Sequence, residues 1–157
     1  MAIRLDHRWL RRALGGVAVL TLAGCATQPQ IAQAPPGPLA AGQARLWFYR
    51  DYEPSVSRGI ANVDLNGARL ASVAPYGGPI YRDLAPGRYH LSVESFARDV
   101  SQSGDIDLAP GQEIFAKVLA DNTRVATGDK TDFVRDTFYL RLVPPELARA
   151  QIAANHT

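Results

Sequence analysis

The sequence has 157 residues, with 17 Lys and Arg against 15 Asp and Glu for a formal charge of +2, and a single cysteine. One cysteine excludes a disulfide framework within the chain, and a balance this close to neutral lacks the basic footprint that polyanion binding needs, so nucleic acid is not an expected partner. The length is that of one ordinary domain with a short extension, and no staple is needed for it to bury a core.

In chain order, Arg8, Arg11 and Arg12 precede the apolar run from Ala13 to Ala23. A basic start followed by a greasy run is the order an export machine reads, and the run falls short of the ~20 apolar residues that span a bilayer. Then comes Leu22-Ala23-Gly24-Cys25, which resembles the bacterial lipobox at all four positions. That resemblance implies cleavage between Gly24 and Cys25 and lipidation of the Cys25 thiol, with membrane lipid as a partner. Two or more acyl chains anchor a protein stably, at about 0.8 kcal/mol per buried methylene. Residues 1–24 hold Arg4, Arg8, Arg11 and Arg12 against Asp6, so their removal leaves a net charge of −1. By resemblance to Gram-negative lipoproteins, Ala26 after the cysteine implies the outer membrane, with the protein on the inner leaflet facing the periplasm.

Residues 25–42 carry Pro29, Pro35, Pro36 and Pro38 and no charge. Such a segment reads as an extended tether, reaching roughly 50 Å at ~3.1 Å per residue. From 43 to 143, short runs rich in β-branched and aromatic residues alternate with turn residues, the pattern of an antiparallel β-sandwich. The run from Ala44 to Arg50 is apolar on both faces and predicts a central strand covered on both sides. Ile60 to Leu65 and Ala68 to Val73 flank Asn66-Gly67, a hairpin signal whose ideal register sets Val63 opposite Leu70. Asp83-Leu84-Ala85-Pro86-Gly87 recurs as Asp107-Leu108-Ala109-Pro110-Gly111. Each copy predicts a type II turn entering a strand, Arg88 to Phe96 and Gln112 to Ala120. Asp121 to Asp132 reads as a polar loop, and Thr137 to Val143 as the last strand. Residues 144–157 predict a short helix with Leu147, Ala150 and Ala154 near one face, which needs docking because an isolated helix this short is marginal.

No metal or cofactor is expected: His90 and His156 are the histidines beyond residue 24, and neither stands in a ligand spacing. Asp121, Asn122, Asp129, Asp132 and Asp136 lack the order of a calcium loop. No nucleophile elbow, phosphate loop or zinc-protease motif occurs, so no catalytic residue is assigned. Arg50-Asp51-Tyr52 and Tyr76, in two loops of aromatic, charged and Gly/Pro residues, form the candidate binding surface, because Tyr and Arg dominate binding hot spots.

From Arg45 onward, a strand ending Phe-Tyr-Arg, then Val63-Asp64-Leu65-Asn66-Gly67, then Tyr81 to Val93 with its Leu84-Ala85-Pro86-Gly87-Arg88-Tyr89-His90-Leu91, resemble a domain-of-unknown-function family of small bacterial lipoproteins. The L-x-P-G-x-Y-x-L phrase also resembles that of PEGA modules of cell-surface proteins. The resemblance implies an all-β, immunoglobulin- or transthyretin-like sandwich and no assigned reaction. Two functions follow as expectations. The first is a non-enzymatic adaptor or envelope-structural lipoprotein binding a protein, or peptidoglycan. The second is a small hydrolase or carbohydrate-active enzyme using carboxylates such as Glu94 or Asp99 across a cleft.

Overall fold

A computed structural model describes residues 36–51, 53, 56–96, 98–127 and 131–155, with the backbone alone over 123–127 and 131–135. Alternating apolar residues build eight strands and a final helix: β1 (Ala44–Tyr49), β2 (Ala61–Leu65), β3 (Ala68–Val73), β4 (Ile80–Leu84), β5 (Gly87–Val93), β6 (Ser103–Leu108), β7 (Glu113–Thr127), β8 (Thr131–Val143) and α1 (Pro145–Ala154). They form two four-stranded sheets, ordered β4-β1-β7-β8 and β3-β2-β5-β6. The all-β sandwich with a short C-terminal helix is therefore the fold. Its pairing is not wholly antiparallel, because β1 and β7 run parallel, with Trp47 opposite Phe115. The long connection between them permits this.

The core lies between the sheets. Ala44, Leu46, Phe48, Ala116, Val118 and Phe138 from one meet Ala61, Val63, Ala71, Val73, Leu91, Val93, Ile106 and Leu108 from the other. β1 is central and covered on both sides, as its two apolar faces predict. Its outer face supplies Tyr49, which with Phe115, Val143 and Ala148 forms a second cluster beneath α1, flanked by Trp47 and Ile152. The helix docks through Ala148 and Ile152, an i, i+4 pair, while Leu147 is 52% exposed. The expected face of Leu147, Ala150 and Ala154 is thus corrected: small Ala148 lets the helix approach the ring of Phe115.

Several local expectations change for physical reasons. The Asn66-Gly67 turn forms, with φ of 52° and 79°, and Leu65 pairs with Ala68. A bulge then skips Leu70, so Val63 faces Ala71 instead. Without it Ser72 would point into the core. With it Ala71 and Val73 are buried, and the Ser72 hydroxyl donates outward to Asn62 Oδ1 at 2.9 Å. The two identical pentapeptides also part company. At the second, Gln112 N–H donates to the Ala109 carbonyl at 3.1 Å with Gly111 at φ 75°, as a type II turn requires. At the first, Gly87 opens β5 opposite Leu108, and the Tyr89 hydroxyl donates to the Ala85 carbonyl at 2.8 Å. Both copies carry the chain between sheets, β4 to β5 and β6 to β7.

Of the expected loop from Asp121 to Asp132, the described residues, 121–127 and 131–132, are strand. β7 and β8 continue as a paired ribbon to Thr127 opposite Thr131, with Asn122 facing Asp136. Alternating Thr123, Val125 and Thr127 suit a strand, and the nearby charges of Asp121, Arg124 and Asp132 hid that pattern.

Candidate functional site

The strand order gives the sandwich two unlike ends. At one, which we term the tether end, the chain enters at residues 36–43. Gly111 N–H donates to the Gln43 carbonyl at 2.7 Å and Arg45 N–H to that of Gln112 at 2.8 Å. The two pentapeptides lie here as well, since Leu84 pairs with Ala44 and Gly87 with Leu108. Arg45 fastens this end. Its guanidinium grips Asp83 with two bonds of 2.6 and 2.8 Å, and its Nη1 donates to the Gly37 carbonyl at 3.0 Å. Its Cζ lies 4.5 Å from the Tyr81 ring centre. The bonds to Asp83 raise the pKa of buried Arg45, and the same bonds hold the Asp83 carboxyl below its ordinary range.

The far end begins one residue past β1, at Arg50, which is 8% exposed. Its Nη1 and Nη2 donate to the carbonyls of Gly59 and Ser57 at 2.9 and 3.0 Å, and its Cζ lies 5.4 Å from the Phe138 ring centre. Nε has no partner, and no carboxylate among the described residues forms an ion pair with it. Burial therefore pulls its pKa down, against a smaller opposing pull from Asp136, Glu53 and Tyr76.

Beside Arg50 is an open depression of about 180 Å³, lined also by Tyr49, Pro75, Tyr76, Gly78, Pro79, Ile152 and Asn155. A polar network forms one flank. The Tyr49 hydroxyl donates to Gln151 Oε1 at 2.7 Å, Lys117 Nζ reaches the same oxygen at 3.3 Å, and Asn155 Nδ2 donates to Asp51 Oδ1 at 3.1 Å. Lys117 also forms an ion pair with Asp51. Burial, helped by the Asp51 charge, pushes the Tyr49 pKa up to about 12. At neutral pH the network thus presents a neutral phenol and an ammonium already held by a carboxylate. It is suited to hydrogen bonding and to docking α1.

The structure brings Arg50, Asp51 and Tyr76 to this one end. Tyr52, Gly24 and Cys25 lie outside the described residues. Tyr49, on β1 next to Arg50, joins them, and Lys117, Gln151 and Asn155 complete the arrangement but escape a linear reading, because a parallel strand and the last helix with its cap deliver them from far along the chain. Glu94 and Asp99 do not face each other across the depression: Glu94 accepts from Asn62 and Arg69 on the outer face of the second sheet, and Asp99 accepts from the Tyr139 hydroxyl.

The far end is also the apolar one. Of six large apolar side chains at least half exposed among the described residues, Ile60, Tyr76, Phe96 and Val100 lie in segments at this end, at 56, 58, 50 and 78% exposure. The ribbon projects from the same end: Tyr49, the last residue of β1, faces Lys117, and β7 runs on to Thr127, about 33 Å further at ~3.3 Å per residue. Compared with protein-family models and with curated proteins, the chain finds no match in either.

Proposed function

We propose that this chain is a non-enzymatic binding module of the bacterial cell envelope, anchored by an acylated Cys25 and engaging a protein partner with the end of the sandwich opposite its tether. The observation that carries this reading is the polarity of β1. Its first residues meet the incoming tether through Arg45, and its last open onto the depression, the exposed apolar residues and the ribbon. The depression is smaller than the ~300–1,000 Å³ of small-molecule pockets, so it fits one or two side chains of a partner better than a cofactor. Exposed Tyr76 on the wall of a small cleft, with exposed Ile60 at the same end, is the kind of feature from which protein interfaces draw their energy. The likeness of the motifs to those of small bacterial lipoproteins supports the same reading, as does the complete lipobox, and Ala26 after the cysteine favours the outer membrane and its periplasmic face.

The test is cross-linking in cells from a photoreactive residue at position 76, compared with one at position 109 on the tether end. A discrete adduct from 76 and none from 109 is expected, with loss of the adduct in Ile60→Asp. Equal labelling from both positions overturns the assignment of the binding end. Binding to purified sacculi that Tyr76→Ala abolishes would name peptidoglycan as the partner instead. The anchor is checked apart from this: fatty-acid labelling and partition into detergent should vanish in Cys25→Ser.

A further inference from the structure

We propose that the tether end is a membrane-facing foot, resting on the headgroup surface of the bilayer so that the sandwich stands end-on. This rests on the reading of Cys25 as the lipid anchor.

The argument begins with where the remaining chain joins. Residue 36 enters at this end, and Arg45 pins the Gly37 carbonyl against the domain. Pro36 lies eleven residues beyond Cys25, a reach of about 34 Å at polyproline rise. That is short enough to keep the domain at the surface.

Two things set the tilt. The anchor holds the entry end nearest the surface, since bringing the apolar far end down would draw the connecting residues back along the roughly 20 Å of β1. Each remaining face then has its own cost against lipid. The foot consists of Pro36 to Gly42, Ala85-Pro86-Gly87 and Ala109-Pro110-Gly111, all uncharged and, apart from half-buried Leu39, all exposed, with exposed Leu147 following on the first turn of α1. The buried charge beneath is already answered by Asp83, so contact there strips water from no unpaired ion. Rim charges are few: Arg88 stands opposite Asp107, and Glu146 opens the helix. The broad outer face of the second sheet is the opposite case. It carries Asp64, Arg69, Arg88, His90, Glu94 and Asp105, paired with one another and part-exposed, and lying on it would desolvate them all.

Small uncharged residues do not bind bilayers from solution. The anchor supplies an effective concentration in the millimolar range, so the domain meets the surface without an affinity of its own, and the orientation that costs least there is the one most populated. Standing on this foot, β7, some 50 Å long at ~3.3 Å per residue, leads away from the membrane and carries the Tyr76 end toward the periplasm.

The test uses the full-length protein carrying Ala109→Cys or, as control, Ala153→Cys near the C-terminal end of α1. Each is purified from membranes, labelled with a thiol-reactive fluorophore and placed in phosphatidylethanolamine–phosphatidylglycerol vesicles. Acylation turns Cys25 into a thioether, so one dye per chain is expected. Two dyes per chain would report an unmodified Cys25 and overturn the anchor reading itself. With one dye, lipids spin-labelled at the headgroup should quench position 109 several-fold more than position 153. The contrast should shrink when Ala85→Asp and Leu147→Asp charge the foot. Equal quenching, or stronger quenching at 153, overturns the foot while leaving the anchor standing. Contrast that appears only after an envelope extract is added also overturns it, and assigns this end to another occupant.

Discussion

Arg45 and Arg50 leave the same strand, both are buried, and they are treated in opposite ways. Arg45 is saturated: a two-pronged carboxylate, a tether carbonyl and the face of Tyr81 surround it, and its pKa rises. Arg50 has two carbonyls, a ring and an orphan Nε, and its pKa falls. The first is built as a fastening, in which charge is cancelled where the chain enters. The second holds the Ser57–Gly59 turn at the cost of an uncancelled charge, beside the depression and the exposed apolar side chains. A domain that spends stability at only one of its ends is marking that end for use.

The sharpest way to break this comparison is to remove the carboxylate. Asp83→Ala leaves a cation buried without its partner, and we expect a loss of about 3 kcal/mol, the low end for a broken buried pair because Asp83 is itself part-exposed. Urea denaturation reads it directly. Because the folded Asp83 pKa is depressed, its contribution is present at neutral pH and lost as pH falls below about 4. The acid limb of the stability curve should therefore flatten in Asp83→Asn, and an unchanged limb would remove Arg45 as the fastening.

Next in size is Tyr49, which joins the far end to the helix. Its pKa of about 12 lies above the ordinary value, so the folded state keeps a proton that the unfolded chain gives up near pH 10. Stability is then complete below pH 10 and falls by about 2 kcal/mol as pH rises to 12. Tyr49→Phe should abolish that fall, at a loss of about 1 kcal/mol at neutral pH for the bond to Gln151. Thermal melts at pH 8 and pH 11 distinguish the two effects.

Arg50→Met sharpens the contrast from the other side. It strands two carbonyls but relieves a desolvated cation, so a loss of about 1–2 kcal/mol is expected, clearly less than for Asp83→Ala. A loss as large as that of Asp83→Ala would mean that the charge of Arg50 is answered after all, and the two ends would no longer differ in kind.

How much of this was legible in the sequence follows from the range of each interaction. The hairpin at Asn66-Gly67, the central β1 and the inward faces of Leu91 with Val93 and of Ala116 with Val118 are set by neighbours a few positions away, and alternation alone finds them. The edge strands β4 and β6 were not legible. Ile80–Leu84 keeps no alternation, and Ser103–Leu108 shows only Ile106 and Leu108 as apolar, since edges carry charge that discourages pairing with other chains. The bulge at Leu70 was hidden because its cause is tertiary: it decides whether Ser72 or Val73 reaches the core. Of the candidate site, Arg50 and Tyr76 announced themselves by type. Their separation from the tether by the length of β1 became visible only with the parallel partner β7.

The smallest effect concerns how closely the far end is fitted. A methyl group at Gly59 would overlap the Asp136 carboxylate and crowd the Phe138 ring at 3.3 Å, so this glycine is there to let the turn beneath Arg50 close on β8. The carboxylate is the movable end of a flexible side chain, whereas Phe138 is core. We therefore expect Gly59→Ala to cost about 1 kcal/mol, the mild end of overpacking. Most of that should be recovered in Gly59→Ala with Asp136→Ser, as the interaction term of a double-mutant cycle measured by urea denaturation. If the second substitution recovers nothing, the strain lies on Phe138 and the core is stiffer at the far end than the unpaired cation above it suggests. If it recovers the loss, the turn that Arg50 holds is adjustable, as a contact surface that must fit a partner requires.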